Sequence, residues 1–219
     1  MANFYLTKAR LLGLLIFFLI NSSVTVANDL TKDEILEAEK LLYKLSYWTG
    51  EIDGKVDEKT HYAIRAFQRT VNLKLTGNLT SIELENLRKA STLKPRETGY
   101  FHLEIDISKQ ILFFVYSDGT VKNILPISTG TNKLFTSNGW TRRARTPKGK
   151  FFVYRKIEGW RKSSLGNMHY PNYIKGGIAI HGSKKISDQR VTYGCIAIPV
   201  FASEKFSELS PVGTIVVIY

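Results

Sequence analysis

The segment Ile178–Ile198 reads IAIHGSKKISDQRVTYGCIAI, and Gly177–His181 and Cys195–Val200 at its ends read as short strands joined by a polar crossover. It holds the only cysteine of the chain, Cys195, directly after Gly194, and a His181-Gly182 pair fourteen residues upstream. An unperturbed thiol, with a pKa of about 8.5, is mostly protonated at neutral pH. An imidazolium beside it lowers that value and gives a thiolate–imidazolium pair, a strong nucleophile. His181 is the candidate base. Gly194 lacks a Cβ, so the backbone can approach a reacting carbonyl with its own N–H and that of Cys195 aimed at the developing oxyanion. Gly182, or a carbonyl near it, is a candidate acceptor for the second imidazole nitrogen, and the Thr192 hydroxyl is another candidate for that task.

Outward from this segment the period of two persists. Phe101–Ile107 alternates strictly, and Ile111–Tyr116 and Val121–Ile127 flank the turn Ser117-Asp118-Gly119-Thr120 as a hairpin. Phe151–Lys156 and Thr214–Tyr219 read as further strands, and Ala202–Leu209 as one short helix. Residues 129–148 and 158–175 read as long loops, the lengths at which lids and binding loops occur. The expectation for residues 100–219 is therefore a mainly β domain.

The preceding region obeys another period. Thr31-Lys32-Asp33-Glu34 and Thr80-Ser81-Ile82-Glu83 are capping boxes, and each opens a helical pattern. Ile35, Leu36, Leu41, Leu42 and Leu45 share one face of the first helix. Tyr62, Ala63, Ala66 and Phe67 face inward from a second, and Ile82, Leu84 and Leu87 from a third. Residues 28–93 are thus a three-helix module, whose core of about 60 residues is small and suits an accessory role. Residues 94–99, with Pro95, read as a linker. The fold class is α+β multidomain.

Lys8 and Arg10, the apolar run Leu11–Ile20 and small residues ending at Ala27 read as a cleaved signal peptide over residues 1–27, because the run is too short to span a bilayer. A lone cysteine in an exported chain leaves no internal disulfide and frees the thiol for chemistry. Charge divides sharply: residues 28–98 balance, whereas residues 99–219 carry +10 of the net +12. The basic residues are densest between Arg142 and Lys162. In an exported protein such a surface points to wall peptides and anionic envelope polymers rather than nucleic acid.

The second half resembles the L,D-transpeptidase catalytic domain of the YkuD type. The resemblance rests on His181-Gly182, Thr192-Tyr193-Gly194-Cys195-Ile196-Ala197, Ile127-Ser128-Thr129-Gly130, Thr146-Pro147-Lys148-Gly149-Lys150-Phe151 and Gly176-Gly177-Ile178-Ala179-Ile180. Residues 30–93 resemble the peptidoglycan-binding type 1 module through Gly50-Glu51-Ile52-Asp53-Gly54, Ala66-Phe67-Gln68 and Leu75-Thr76-Gly77. The resemblance implies an acyltransferase in the periplasm or cell wall, with Cys195 as nucleophile and His181 as base. Its implied partners are peptidoglycan stem peptides and glycan, with no cofactor and no metal. It also implies a lid over the peptide near Met168–Tyr173, which makes Tyr170 and Tyr173, with Tyr193 and Gly182, the candidate substrate contacts. His169, His181 and Cys195 lack the spacing of a zinc site. Two positions depart from the family pattern. Tyr193 stands where the family has His, and Ala197 where it has Arg, so charge that would stabilise a thiolate or orient a carboxylate must come from elsewhere. Alternative outcomes are an L,D-carboxypeptidase with water as acceptor and a non-catalytic wall-binding protein.

Overall fold

The computed structural model describes residues 30–219; the signal-peptide expectation lies outside them. The chain runs through α1 (Lys32–Lys44), α2 (Glu58–Thr70) and α3 (Ser81–Lys89) and then into strands. These are β1 (His102–Asp106), β2 (Ile111–Val115), β3 (Val121–Pro126), β4 (Leu134–Ser137), β5 (Trp140–Arg143), β6 (Gly149–Phe152) and β7 (Arg155–Lys156). There follow β8 (Trp160–Ser163), β9 (Gly166–Lys175), β10 (Ile178–Ser183), β11 (Ile196–Pro199), α4 (Val200–Leu209) and β12 (Ile215–Ile218). This is the expected α+β arrangement: three helices, then a mainly β domain.

Both capping boxes form. The Thr31 and Thr80 hydroxyls face the N-terminal amides of α1 and α3, while Glu34 and Glu83 reach back to the cap backbone. Each cap is worth about 1 kcal/mol. Leu42, Leu84 and Leu87 are buried as the helical period demands, but Ile82 is 61% exposed because the first turn of α3 points it at solvent.

Two five-stranded sheets carry the second half: one in the order β3-β2-β1-β12-β6, the other in the order β11-β10-β9-β7 with β8 paired to β9 as its fifth strand. Between them lies one apolar core. Leu103, Ile105, Leu112 and Phe114 from the first sheet meet Ile174, Ile180, Ile196 and Ile198 from the second, and Phe206 of α4 closes it.

The other face of the first sheet is covered as well. Ile111, Phe113, Val115, Val121 and Ile124 join Leu42, Ile64, Phe67, Leu84 and Leu87 of the helices in a second continuous core. This explains why β2 is an unbroken run, Ile-Leu-Phe-Phe-Val, every residue of it buried. A strand covered on both faces has no polar side to alternate with. The helical module therefore shares its core with the sheet. Residues 94–99 are fastened too: the Arg96 and Glu97 amides donate to Glu104, and the Arg96 guanidinium lies 3.5 Å from the Tyr219 ring centroid.

Both presumed long loops contain hairpins. Residues 129–148 hold β4 and β5, paired antiparallel across Asn138-Gly139. Both turn residues take positive φ, 50° and 77°, the conformation an Asn-Gly hairpin turn requires. Residues 158–175 hold β8 and all of β9, paired from Trp160–His169 to Ser163–Gly166. The single strand expected over Phe151–Lys156 is split: β6 joins the first sheet and β7 the second.

Candidate active site

Strands β10 and β11 run parallel, with His181 in register with Ala197. Cys195 precedes β11 and lies two residues before Ala197, so the alternation of the pleat puts it on the same face as His181. Strand spacing and rise set their Cα atoms about 8 Å apart. Both residues line one cleft of about 590 Å³. His181 is buried and its Nδ1 lies 3.1 Å from the Gly182 carbonyl, the acceptor that fixes an Nδ1–H tautomer and leaves Nε2 for the thiol. The Cys195 Sγ–H donates to the Gly177 carbonyl at 3.7 Å.

The resting charge state runs against a standing ion pair. Burial pushes the Cys195 thiol up from its ordinary value, with the Ala179 backbone acting in the opposite direction. Burial pushes the His181 imidazole down, opposed by its bond to Gly182. A thiol above its usual range and an imidazole below its own are both neutral near pH 7. Both directions disfavour a standing thiolate–imidazolium pair in the resting site.

The turn before Cys195 is held by a chain of small polar contacts. Thr192 Oγ1 donates to the Cys195 carbonyl at 2.6 Å and accepts from the Gly194 N–H at 3.2 Å. Thr192 therefore ties the turn and makes no bond to the imidazole. The Gly194 N–H, one of the two expected oxyanion donors, is engaged in that turn. The Cys195 N–H makes no backbone hydrogen bond among the described residues. Gly194 earns its place sterically: φ is +124°, and a Cβ would lie 3.0 Å from the Arg145 carbonyl.

Residues quoted above only as motif members support this turn. Ser128 exchanges both backbone hydrogen bonds with Ala197, and the Thr131 and Thr192 backbones are joined across Thr129–Gly130. Thr146 Oγ1 donates to the Gly194 carbonyl and accepts from the Gly130 N–H, each at 2.9 Å. A Cβ on Gly130 would lie 2.2 Å from the Ala144 carbonyl, so only glycine fits. The signal in the sequence was a Ser-Thr-Gly strand end and an isolated Thr-Pro, neither of which carries chemistry of its own.

Among the candidate substrate contacts, Tyr173 and Tyr193 line the cleft. Tyr173 is buried and its ring lies 4.2 Å from the Arg155 guanidinium. Tyr193 is half-exposed and packs at a tilt against Phe135 of β4, with ring centroids 4.7 Å apart. Gly182 serves through its carbonyl. Tyr170 is not brought in: with φ of 46° it points its hydroxyl at Glu204 of α4, 2.8 Å away, outside the cleft. His169 likewise turns to Ser203, with Nδ1 2.8 Å from its hydroxyl. Among the described residues no group of three His, Cys, Asp or Glu side chains is placed to hold a metal ion, and no helix is long and apolar enough to cross a membrane.

The walls of the cleft are cationic. Arg142, Arg143, Arg145, Arg155, Arg161 and Lys185 line it, and no carboxylate does. None of the six is in a salt bridge among the described residues. Sequence reading located this charge but not its convergence on Cys195, which depends on the β4–β5 and β8–β9 hairpins folding over the same sheet.

A cysteine and a histidine sharing one face of the second sheet, in a two-sheet domain behind a helical module, define a class. The L,D-transpeptidase catalytic domain (YkuD) family model matches residues 100–218, more than half the chain, and the chain belongs to that family. A putative peptidoglycan binding domain matches residues 31–101. The crystal structure of the L,D-transpeptidase from Xylanimonas cellulosilytica is similar at 33% identity and a TM-score of 0.80, covering 85% of this chain and 93% of that one. An L,D-transpeptidase from Stackebrandtia nassauensis aligns at 20% identity with a TM-score of 0.48, over 85% and 91% of the two chains. No curated protein matches the chain.

Proposed function

We propose that the protein is an exported, cysteine-dependent L,D-transpeptidase that forms or remodels peptidoglycan cross-links. The observation that carries this reading is that Cys195 and His181 open into one cleft from one sheet face, with the imidazole tautomer held by Gly182. Cys195 Sγ attacks the carbonyl between the third residue of a tetrapeptide stem and its terminal D-Ala, while His181 Nε2 takes the thiol proton. The oxyanion forms against the Cys195 N–H, one donor of a kind worth about 3 kcal/mol of barrier. On collapse the C–N bond breaks and His181 returns the proton to the departing D-Ala amine, leaving a thioester. An amine from a second stem then attacks the thioester, loses its proton to His181 and releases the Cys195 thiol.

The neutral resting pair suits this sequence, because an imidazole free of a proton is ready to act as base. The cationic walls suit a stem whose carboxylates are exposed, and they take over the charge that Ala197 does not supply. The helical module adds affinity for the wall and raises the local concentration of stems. The test is intact mass and product analysis with purified tetrapeptide stems. Loss of D-Ala, a thioester adduct absent from Cys195→Ala, and a dimeric product support transpeptidation. A tripeptide alone identifies water as acceptor, and absence of both adduct and D-Ala leaves a wall-binding protein.

A further inference from the structure

The crossover 184–193, between β10 and Cys195, is the segment that decides where the sulfur sits. Its inner side is tied to the Ser128–Gly130 strand end: Ser128 Oγ donates to the Gln189 carbonyl at 2.8 Å and faces the Val191 N–H at 3.3 Å. Its outer side is held by the helical module. Arg65 Nη1 of α2 donates to the Ile186 carbonyl at 3.0 Å, and its other terminal nitrogen pairs with Asp188. One turn further along α2, Arg69 Nη2 donates to the Ser187 carbonyl at 3.1 Å. Arg69 Nη1 spans the Gln110 and Ile127 carbonyls at 2.6 Å and 2.8 Å, so one guanidinium joins the crossover to the residue preceding Ser128. Tyr62, on the same helix, packs with Ile186.

Adhesion of the module does not need these arginines. The apolar core between α1–α3 and β2–β3 already supplies it. Arg65 and Arg69 are only 7% and 5% exposed, and burial lowers the Arg69 guanidinium to about 10. Burying two guanidinium groups is costly and brings little net stability over apolar packing. What it brings is direction: rigid planar forks set on particular carbonyls fix a loop in one conformation.

We propose that Arg65 and Arg69 of the helical module are positioning residues for the nucleophile, fixing the crossover 184–193 that carries Cys195. The module is then a working part of the active site as well as a tether. The inference rests on Cys195 being the nucleophile.

The test uses the full chain with Arg65→Gln, Arg65→Lys, Arg69→Gln and Asp188→Asn. Melting temperature, kcat and KM for D-Ala release, and the rate of Cys195 alkylation by iodoacetamide are measured on each. Displacement of a reacting group by about 1 Å costs up to about 100-fold in rate, so Arg65→Gln and Arg69→Gln are expected to lower kcat by about 10-fold or more, with KM within about 2-fold. Arg65→Lys recovers only part of the loss, since one ammonium cannot hold the Ile186 carbonyl and Asp188 as a fork does. Should Arg69→Gln fail to fold, Asp188→Asn, whose side chain is 49% exposed, loosens the same loop from the surface. Variants that melt earlier yet keep wild-type kcat and alkylation rate overturn the proposal. If the wild type releases no D-Ala, the catalytic reading fails, and the alkylation rates still decide the clamp: a changed rate supports it and identical rates overturn it.

Discussion

The β10–β11 pair and the two hairpins that overhang it are built by opposite rules. The four residues of β11 are all buried, as are the four central residues of β10. All four residues of β5 and of β8 are exposed. Packing leaves the strand pair one conformation, and that is where the thiol and imidazole sit. The hairpins contribute Arg142, Arg143 and Arg161 to the same cleft from surfaces free to vary. The difference separates two tasks: reacting atoms need fixed geometry, whereas charge attraction tolerates motion because it falls off gently with distance.

That division can be broken at its strongest point. Cys195→Ala is expected to reduce D-Ala release by at least about 1,000-fold, since no other thiol lines the cleft. Its melting temperature should stay within a few degrees, because the side chain is small and only partly buried. A variant retaining a tenth of wild-type activity would move the chemistry away from β11.

Next in size are the supports beneath the strand pair. Thr146→Val removes the hydroxyl that joins the Gly130 N–H to the Gly194 carbonyl and leaves both without that partner. A loss of about 1–3 kcal/mol in denaturant unfolding is expected, together with about a 10-fold fall in kcat. Gly130→Ala should destabilise at least as much, because its Cβ meets backbone rather than a side chain that can swing aside. Substitutions at comparable depth in either hairpin have no such ladder to disturb.

Hairpin charge should act on binding instead. Arg145→Gln, at the foot of β5, and Arg161→Gln on β8 are each expected to raise KM by about 3- to 10-fold and to change kcat by less than about 2-fold. The ratio to wild type should shrink as salt is raised, since exposed charges are screened over about 8 Å at physiological ionic strength. A fall in kcat at constant KM would show the hairpins to be part of the fixed geometry.

The same contrast governs what could be read from the sequence. Strands β10 and β11 were legible because burial leaves Ile-Ala-Ile at each, and the helices because Thr31 and Thr80 announce them. Neither Leu134–Ser137 nor Trp160–Ser163 contains a buried residue, so neither carries an apolar face to detect. Asn138-Gly139 was the one signal present, and it specifies a hairpin turn outright. The shared core of module and sheet was written in Ile111–Val115, a run too apolar for a strand with a wet side. Of the site, Cys195, His181 and the bond to Gly182 followed from spacing and residue type. The engagement of the Gly194 N–H by Thr192 did not, because hydroxyl direction is set by the local turn. The outward turn of Tyr170 likewise depends on Glu204, which lies on a helix that sequence alone does not bring near.

The smallest effect is the most informative about mechanism. Burial holds the Cys195 thiol above its ordinary value and the His181 imidazole below its own. Between those values both groups are neutral; an ion pair requires the opposite order, thiol below imidazole. Iodoacetamide reacts with thiolate alone, so the alkylation rate of Cys195 should climb through pH 9 without a plateau near neutrality. The folded thiol being the weaker acid, unfolding is favoured as pH rises past the unfolded thiol value, and stability should decline there. Against this background His181→Ala is expected to change the alkylation rate at pH 7 by less than about 2-fold while abolishing D-Ala release. A standing thiolate–imidazolium pair would instead lose more than about 10-fold in alkylation when its cation is removed, the result that would return His181 from proton carrier to fixed counter-charge.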